Sequence, residues 1–223
     1  MARILAVADE VVEQLWTDQV HKHAEVDLIV AAGDLPFDYL EHLANALDKP
    51  LVFVPGNHDA DLSGYSNVRG LWTKAGVPVR WPGPAGAVNA DERVIDVAGL
   101  RIAGLGGSIR YNKGPNQWTE RQQARRARRV SRLAGWRRLR DGRGVDVLLT
   151  HSPPLDCGDE PDAPHRGFEC LRGLVSRLQP SFMLHGHIHP HGHPRPDRSL
   201  GTTRVINVVP QKVLDISGGR DET

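Results

Sequence analysis

Short apolar runs, each closed by turn residues, alternate along the chain with stretches whose apolar positions recur every three or four residues. The runs at 4–8, 27–32, 51–54, 101–105, 145–150 and 182–184 read as buried strands, and 77–79 and 94–97 as shorter ones. Val12, Leu15, Trp16 and Val20 predict a helix over 12–24. Tyr39, Leu40, Leu43, Ala44 and Leu47 predict a second, stopped before Pro50. A further helix is expected around 66–75, and 205–209 with 213–216 read as a closing hairpin or strand pair. No internal repeat and no linker interrupts the alternation, so residues 1–223 read as one domain.

The residues that end these strands carry the chemistry. Asp9, Asp34, Asn57, His151 and the pair His187/His189 each follow an apolar run. In open α/β sheets ligands sit beyond the carboxyl ends of the strands. One strand-terminal histidine is ordinary packing, but five such coincidences are not. Carboxylates, an amide oxygen and imidazoles together suit Mn²⁺, Fe or Zn²⁺.

Gly33-Asp34, Gly56-Asn57-His58-Asp59, His151 and Gly186-His187-Ile188-His189 together resemble the successive signatures of the calcineurin-like metallophosphoesterases. With Asp9, the resemblance spans positions 9 to 189. It implies a four-layer αββα sandwich, two mixed β-sheets flanked by helices, with two divalent metal ions at the strand ends. In that scheme Asp34 bridges the metals. Asn57, His151 and His187 complete the second site, and Asp9 and His189 serve the first. His58 is the histidine that binds no metal and lies near the leaving-group oxygen, supported by Asp59. The implied activity is hydrolysis of a phosphomonoester or phosphodiester by metal-activated hydroxide, the two metals roughly 3.5–4 Å apart. Mn, Fe, Zn, Ni and Mg all remain open as the metal, with Mn²⁺ the choice for work in vitro. A nuclease or cyclic-nucleotide phosphodiesterase is an alternative, as is a catalytically weak scaffold for protein interaction.

The chain departs from the family pattern once. The first motif is usually Asp-x-His and here reads Asp9-Glu10-Val11. Either the first site holds its metal with fewer protein ligands, or Glu10 or Glu13 substitutes, or the site is weak. A continuing strand pleat would point Glu10 away from Asp9's side.

Composition bounds the partners. Hydrophobic content is 39%, charged content 25% and net charge +1, which argues against wholesale nucleic-acid or membrane binding. Two cysteines build no disulfide framework, and no run is long enough to span a membrane, so a cytoplasmic location is expected. Beyond a small phosphate ester, the one partner signal is a basic helical segment at about 116–143, with ten arginines between Arg121 and Arg143. Its stripe of Ala127, Val130, Leu133 and Ala134 suits docking on a sheet. Its arginines suit either a solvated face or a footprint for a polyanion such as nucleic acid. Arg110 and Asn112, directly after a strand, are candidate substrate contacts. So are His165 and Arg166 in the loop after His151, although His165 also suits a cap for a helix starting near Gly167.

Overall fold

The computed structural model describes residues 1–190, 192 and 195–217. In chain order its elements begin with β1 (Ala2–Val7), β2 (Leu28–Ala31), α1 (Phe37–Leu47) and β3 (Leu51–Phe53). Short strands β4 (Tyr65–Val68), β5 (Leu71–Lys74), β6 (Val77–Pro78) and β7 (Val88–Asn89) precede β8 (Val94–Val97) and β9 (Leu100–Leu105). A small pair, β10 (Ser108–Ile109) and β11 (Gln117–Trp118), leads into the long helix α2 (Glu120–Asp141). Then come β12 (Val147–Thr150), α3 (Glu169–Leu178), β13 (Phe182–His185), β14 (Arg198–Leu200), β15 (Thr203–Asn207) and β16 (Gln211–Ile216).

Two mixed sheets organise the chain, in the orders β16-β1-β2-β3-β7 and β14-β15-β13-β12-β9-β8. The inner strands of each are parallel, and the antiparallel strands β16, β14 and β8 lie at edges. Alternation along each strand assigns the layers. Ile4, Ala6, Leu28, Val30 and Val52 pack against Ile102, Val147, Leu149, Leu184 and Ile206 from the other sheet. The intervening Leu5, Val7, Ile29, Ala31 and Phe53 turn outward onto Tyr39, Leu40, Leu43 and Leu47 of α1. On the far side Ala103, Leu148, Met183 and Val205 meet Ala127, Val130 and Ala134 of α2 and Leu171, Leu174 and Val175 of α3. The result is α1, sheet, sheet, α2 with α3: the four-layer sandwich.

Several expectations are corrected. Residues 66–75 form the β4–β5 hairpin, not a helix. Arg69 and Gly70 both have positive φ (54° and 87°), the two-residue turn that matches strand twist. Residues 12–24 form two 3₁₀ turns, Glu13–Trp16 and Asp18–His23, because extended Thr17 separates them and caps the second. Leu15 and Val20 are still buried under α1, as their spacing implied. The last two strands do not pair with each other: β15 runs parallel to β13 in one sheet, and β16 crosses back to lie antiparallel to β1. Leu133 does not join the docking stripe of α2 but is exposed.

Candidate metal centre

Five of the parallel strands, β1, β2, β3, β12 and β13, each deliver one polar residue to the same end of the sandwich. Ligand atoms of Asp9, Asp34, His151 and His187 all lie within 4.8 Å of one another. Asn57 joins them, its Oδ1 3.0 Å from His151 Nε2. The local backbone is specialised for this convergence. Asp9, Asp34 and His187 all occupy the left-handed region, at φ 61°, 58° and 70°. Such residues are uncommon outside glycine and cluster at functional sites. A Cβ on Gly56 would run into the Asp34 carboxylate, and one on Gly186 into the Asp9 carboxylate, so both glycines are required by close approach.

Hydrogen bonds aim the donors. Asp9 Oδ2 accepts from the His187 amide at 2.8 Å, and Asp34 Oδ1 from the His58 amide at 2.8 Å. His151 Nδ1 donates to the Ala32 carbonyl at 2.7 Å, which leaves Nε2 toward Asn57 and Asp34. His187 Nε2 donates to the Pro164 carbonyl at 2.8 Å, leaving Nδ1 for a ligand role. Backbone-anchored imidazoles of this kind are how metal-binding histidines are oriented. Tyr111, from the loop after β10, accepts from Asn57 Nδ2 at 3.3 Å, so the amide's oxygen is the end that faces the cluster.

The electrostatics are those of a donor set built for cations. Burial pushes Asp9 up to about 6, against the opposing pull of His151. Burial acts to raise Asp34 too, but His151 and the His58 amide overcome it and hold the carboxyl at about 2. Burial would lower His151, yet Asp34 and Asp9 raise it to about 9, whereas burial and His151 push His187 down to about 3. Two carboxylates, two fixed imidazoles and an amide oxygen fit divalent metals of the Mn, Fe or Zn type.

The other anticipated residues are distributed differently. His189 lies outside the tight cluster, its Nδ1 2.8 Å from Glu10 Oε1. The left-handed turn at Asp9 breaks the strand pleat, so Glu10 swings onto His189 and does not point away; Val11 is exposed. His58 is exposed and borders a cavity of about 430 Å³ with Asp34, Leu35, Pro36, Phe37, Asp59 and Ala60. Asp59 does not touch the His58 ring: Oδ2 accepts from the amides of Gly56 (2.7 Å) and Asp34 (3.0 Å) and ties two ligand loops together. Arg110 binds the Gln117 carbonyl and Gln122, and Asn112 accepts from Gln117 and Gly114, so both build their loop. His165 pairs with Asp162 at 2.7 Å and packs beside the His187 ring; the start of α3 is bound instead by Glu120. Arg166 lines a separate pocket with His185, Arg195 and Arg198. Cys157 and His185 are buried, and His191 and His193 lie outside the described residues.

Sequence reasoning missed Asn116. Its Nδ2 donates to the carbonyls of Gly56 (2.9 Å) and Asp59 (3.0 Å), clamping the two ends of the Gly56–Asp59 turn. No periodicity marks such a residue; only its place in the turn-rich 112–116 segment hints at a special backbone, and its φ is 48°.

A profile of the calcineurin-like phosphoesterase family matches residues 5–191. The chain belongs to that family. An uncharacterised Haemophilus influenzae protein is 26% identical to this phosphoesterase-family chain over 191 residues, 75% of each chain. The Caenorhabditis elegans UPF0046 protein T07D4.2 is 46% identical over 48 residues, 21% of this chain and 12% of that one. The crystal structure of TT1561 of Thermus thermophilus shares the fold, with a TM-score of 0.59 at 20% identity over 93% of this chain and 88% of that one. Family membership supports a metal-dependent phosphoester hydrolase with a dinuclear centre, and the Asp/His cluster is the candidate for it. No helix among the described residues is long and apolar enough to cross a membrane.

Proposed function

We propose that this chain hydrolyses a phosphomonoester or phosphodiester, with two divalent cations held by Asp9, Asp34, Asn57, His151, His187 and His189. The convergence of Asp9, Asp34, His151 and His187 within 4.8 Å carries the reading. A bound metal pair supplies the Lewis acidity that polarises the phosphoryl oxygens and makes water a nucleophile at neutral pH. The chain supplies the rest. Asp34 would bridge the two cations, its two oxygens fixed by the His58 amide and by His151. Asn57 adds a donor oxygen without charge, which keeps the centre attractive to an anionic ester. His58, beside the open cavity, donates a proton to the departing oxygen.

The test is hydrolysis of para-nitrophenyl phosphate and bis-para-nitrophenyl phosphate by metal-stripped protein refilled with Mn²⁺, with bound metal counted in parallel. Turnover with close to two metals per chain, lost in Asn57→Ala and His58→Ala, supports the reading, and the preferred ester narrows the substrate. No turnover, with one metal or none bound, refutes it in favour of a scaffold.

A further inference from the structure

The solvent face of α2 has no role in the centre just described. The helix carries nine arginines against two acids, Glu120 and Asp141, in a chain of net charge +1. Both acids are occupied: Glu120 accepts from the amides of Glu169 and Cys170, and Asp141 binds Arg101. The arginines divide by position. Arg126, Arg129 and Arg137 turn to the sheet side and pair with Asp91, Glu92 and Asp96. Arg121, Arg125, Arg128 and Arg132 are exposed, with no ion pair among the described residues. Their spacing of four, three and four residues sets them on one line along the helix, about 16 Å long. Trp136, 60% exposed, and Leu139, 90% exposed, extend the same face.

We propose that this face is a docking track for single-stranded nucleic acid. Four unpaired guanidiniums in a row match a strand of phosphates in charge and repeat, and each is free to form two bonds to phosphate oxygens. An exposed indole at the end of the row offers a stacking platform, which an unpaired base can use and a paired one cannot. A helix face could also enter a duplex groove, so the exposed indole is what favours a single strand over a duplex. The track also starts near the candidate centre. Arg110 ties the first turn of α2 through Gln122, and its neighbour Tyr111 reaches Asn57.

The experiment is fluorescence anisotropy of a labelled 20-mer of oligodeoxythymidine with the full chain in chelating buffer, so binding is scored apart from hydrolysis and its failure leaves the phosphoesterase reading intact. Four phosphate contacts predict a slope of log K against log salt of about −3. The quadruple variant Arg121→Gln, Arg125→Gln, Arg128→Gln, Arg132→Gln should flatten that slope toward zero, whereas Arg177→Gln, at an exposed position of α3, should not. Trp136→Ala should weaken binding about tenfold and leave the slope unchanged. The proposal is overturned by an unchanged slope in the quadruple variant. A duplex 20-mer binding as tightly overturns it too, as does binding to phosphatidylserine vesicles or self-association in place of the oligonucleotide.

Discussion

Asp59 offers the sharpest test of how this centre is held together. The family resemblance casts it as support for His58, but its Oδ2 accepts instead from the Gly56 and Asp34 amides at 2.7 and 3.0 Å. Asp59→Ala therefore removes two bonds to a charged acceptor and strands one buried and one partly buried donor. Hydrogen bonds to charged groups contribute about 1.5–3 kcal/mol each. Against that stands the cost of keeping the carboxylate itself buried, which also raises its pKa. The net loss is about 2–4 kcal/mol, which for a chain of this size lowers Tm by roughly 5–15 °C. Asp59→Asn retains an acceptor oxygen and should lose about half as much. Thermal denaturation in chelating buffer reads this loss without contribution from bound metal. If the metal-refilled protein turns over phosphate esters as proposed, its pH–rate profile should keep its shape in both variants, since the His58 ring makes no contact with Asp59. A melting point within about 2 °C of the parent for Asp59→Ala, together with a displaced limb of the pH profile, would refute the brace and restore the family role.

Three further outcomes follow from the same geometry. Tyr111→Phe frees the Asn57 amide to rotate, and metal affinity at the second site should fall about 10–100-fold in a chelator competition, the usual penalty for losing an orienting partner. Glu10→Ala removes the partner of His189 Nδ1, so titration with Mn²⁺ should show one weakened site and one unchanged site; two unchanged sites would exclude Glu10 from the centre. Gly56→Ala sets a Cβ against the Asp34 carboxylate, and the protein should lose metal binding while far-UV circular dichroism stays near that of the parent.

Much of the fold was legible because it rests on strong local patterns. The apolar runs of β1, β2, β3, β12 and β13 each carry a polar residue at the carboxyl end, and the topology brings those ends together. The failures have equally local causes. At 66–75 the apolar residues Val68, Leu71 and Trp72 suggest helical spacing. The decisive signals are Gly70 and Gly76, six residues apart, each second in a turn whose first residue also has positive φ. The destination of β16 was not written in its own residues, because an antiparallel edge strand is chosen by the sheet that needs covering. Arg110 and Asn112 carry side chains suited to phosphate, yet the loop's own backbone groups claim them. Residues such as Asn116 act through backbone carbonyls, a role that side-chain chemistry alone does not announce.

The left-handed conformations of Asp9, Asp34 and His187 tie these points together. Each such residue costs about 1–3 kcal/mol and persists only where its surroundings over-determine it. Here they do: Asp9 Oδ2 holds the His187 amide, Asp34 Oδ1 holds the His58 amide, and the Asp34 amide is held by Asp59. The Asp9–His187 bond joins a loop of one sheet to a loop of the other across the sandwich, and His58 and Asp59 hold Asp34 within its own sheet's loops. The same strain bears on the departure at Glu10-Val11. Had the pleat of β1 continued through Asp9, Glu10 would face away and the missing imidazole would leave the first site bare on that side. The turn at Asp9 instead carries the Glu10 carboxylate to His189, where it accepts from Nδ1. If His189 holds a metal as proposed, Glu10 is the residue that orients its ring.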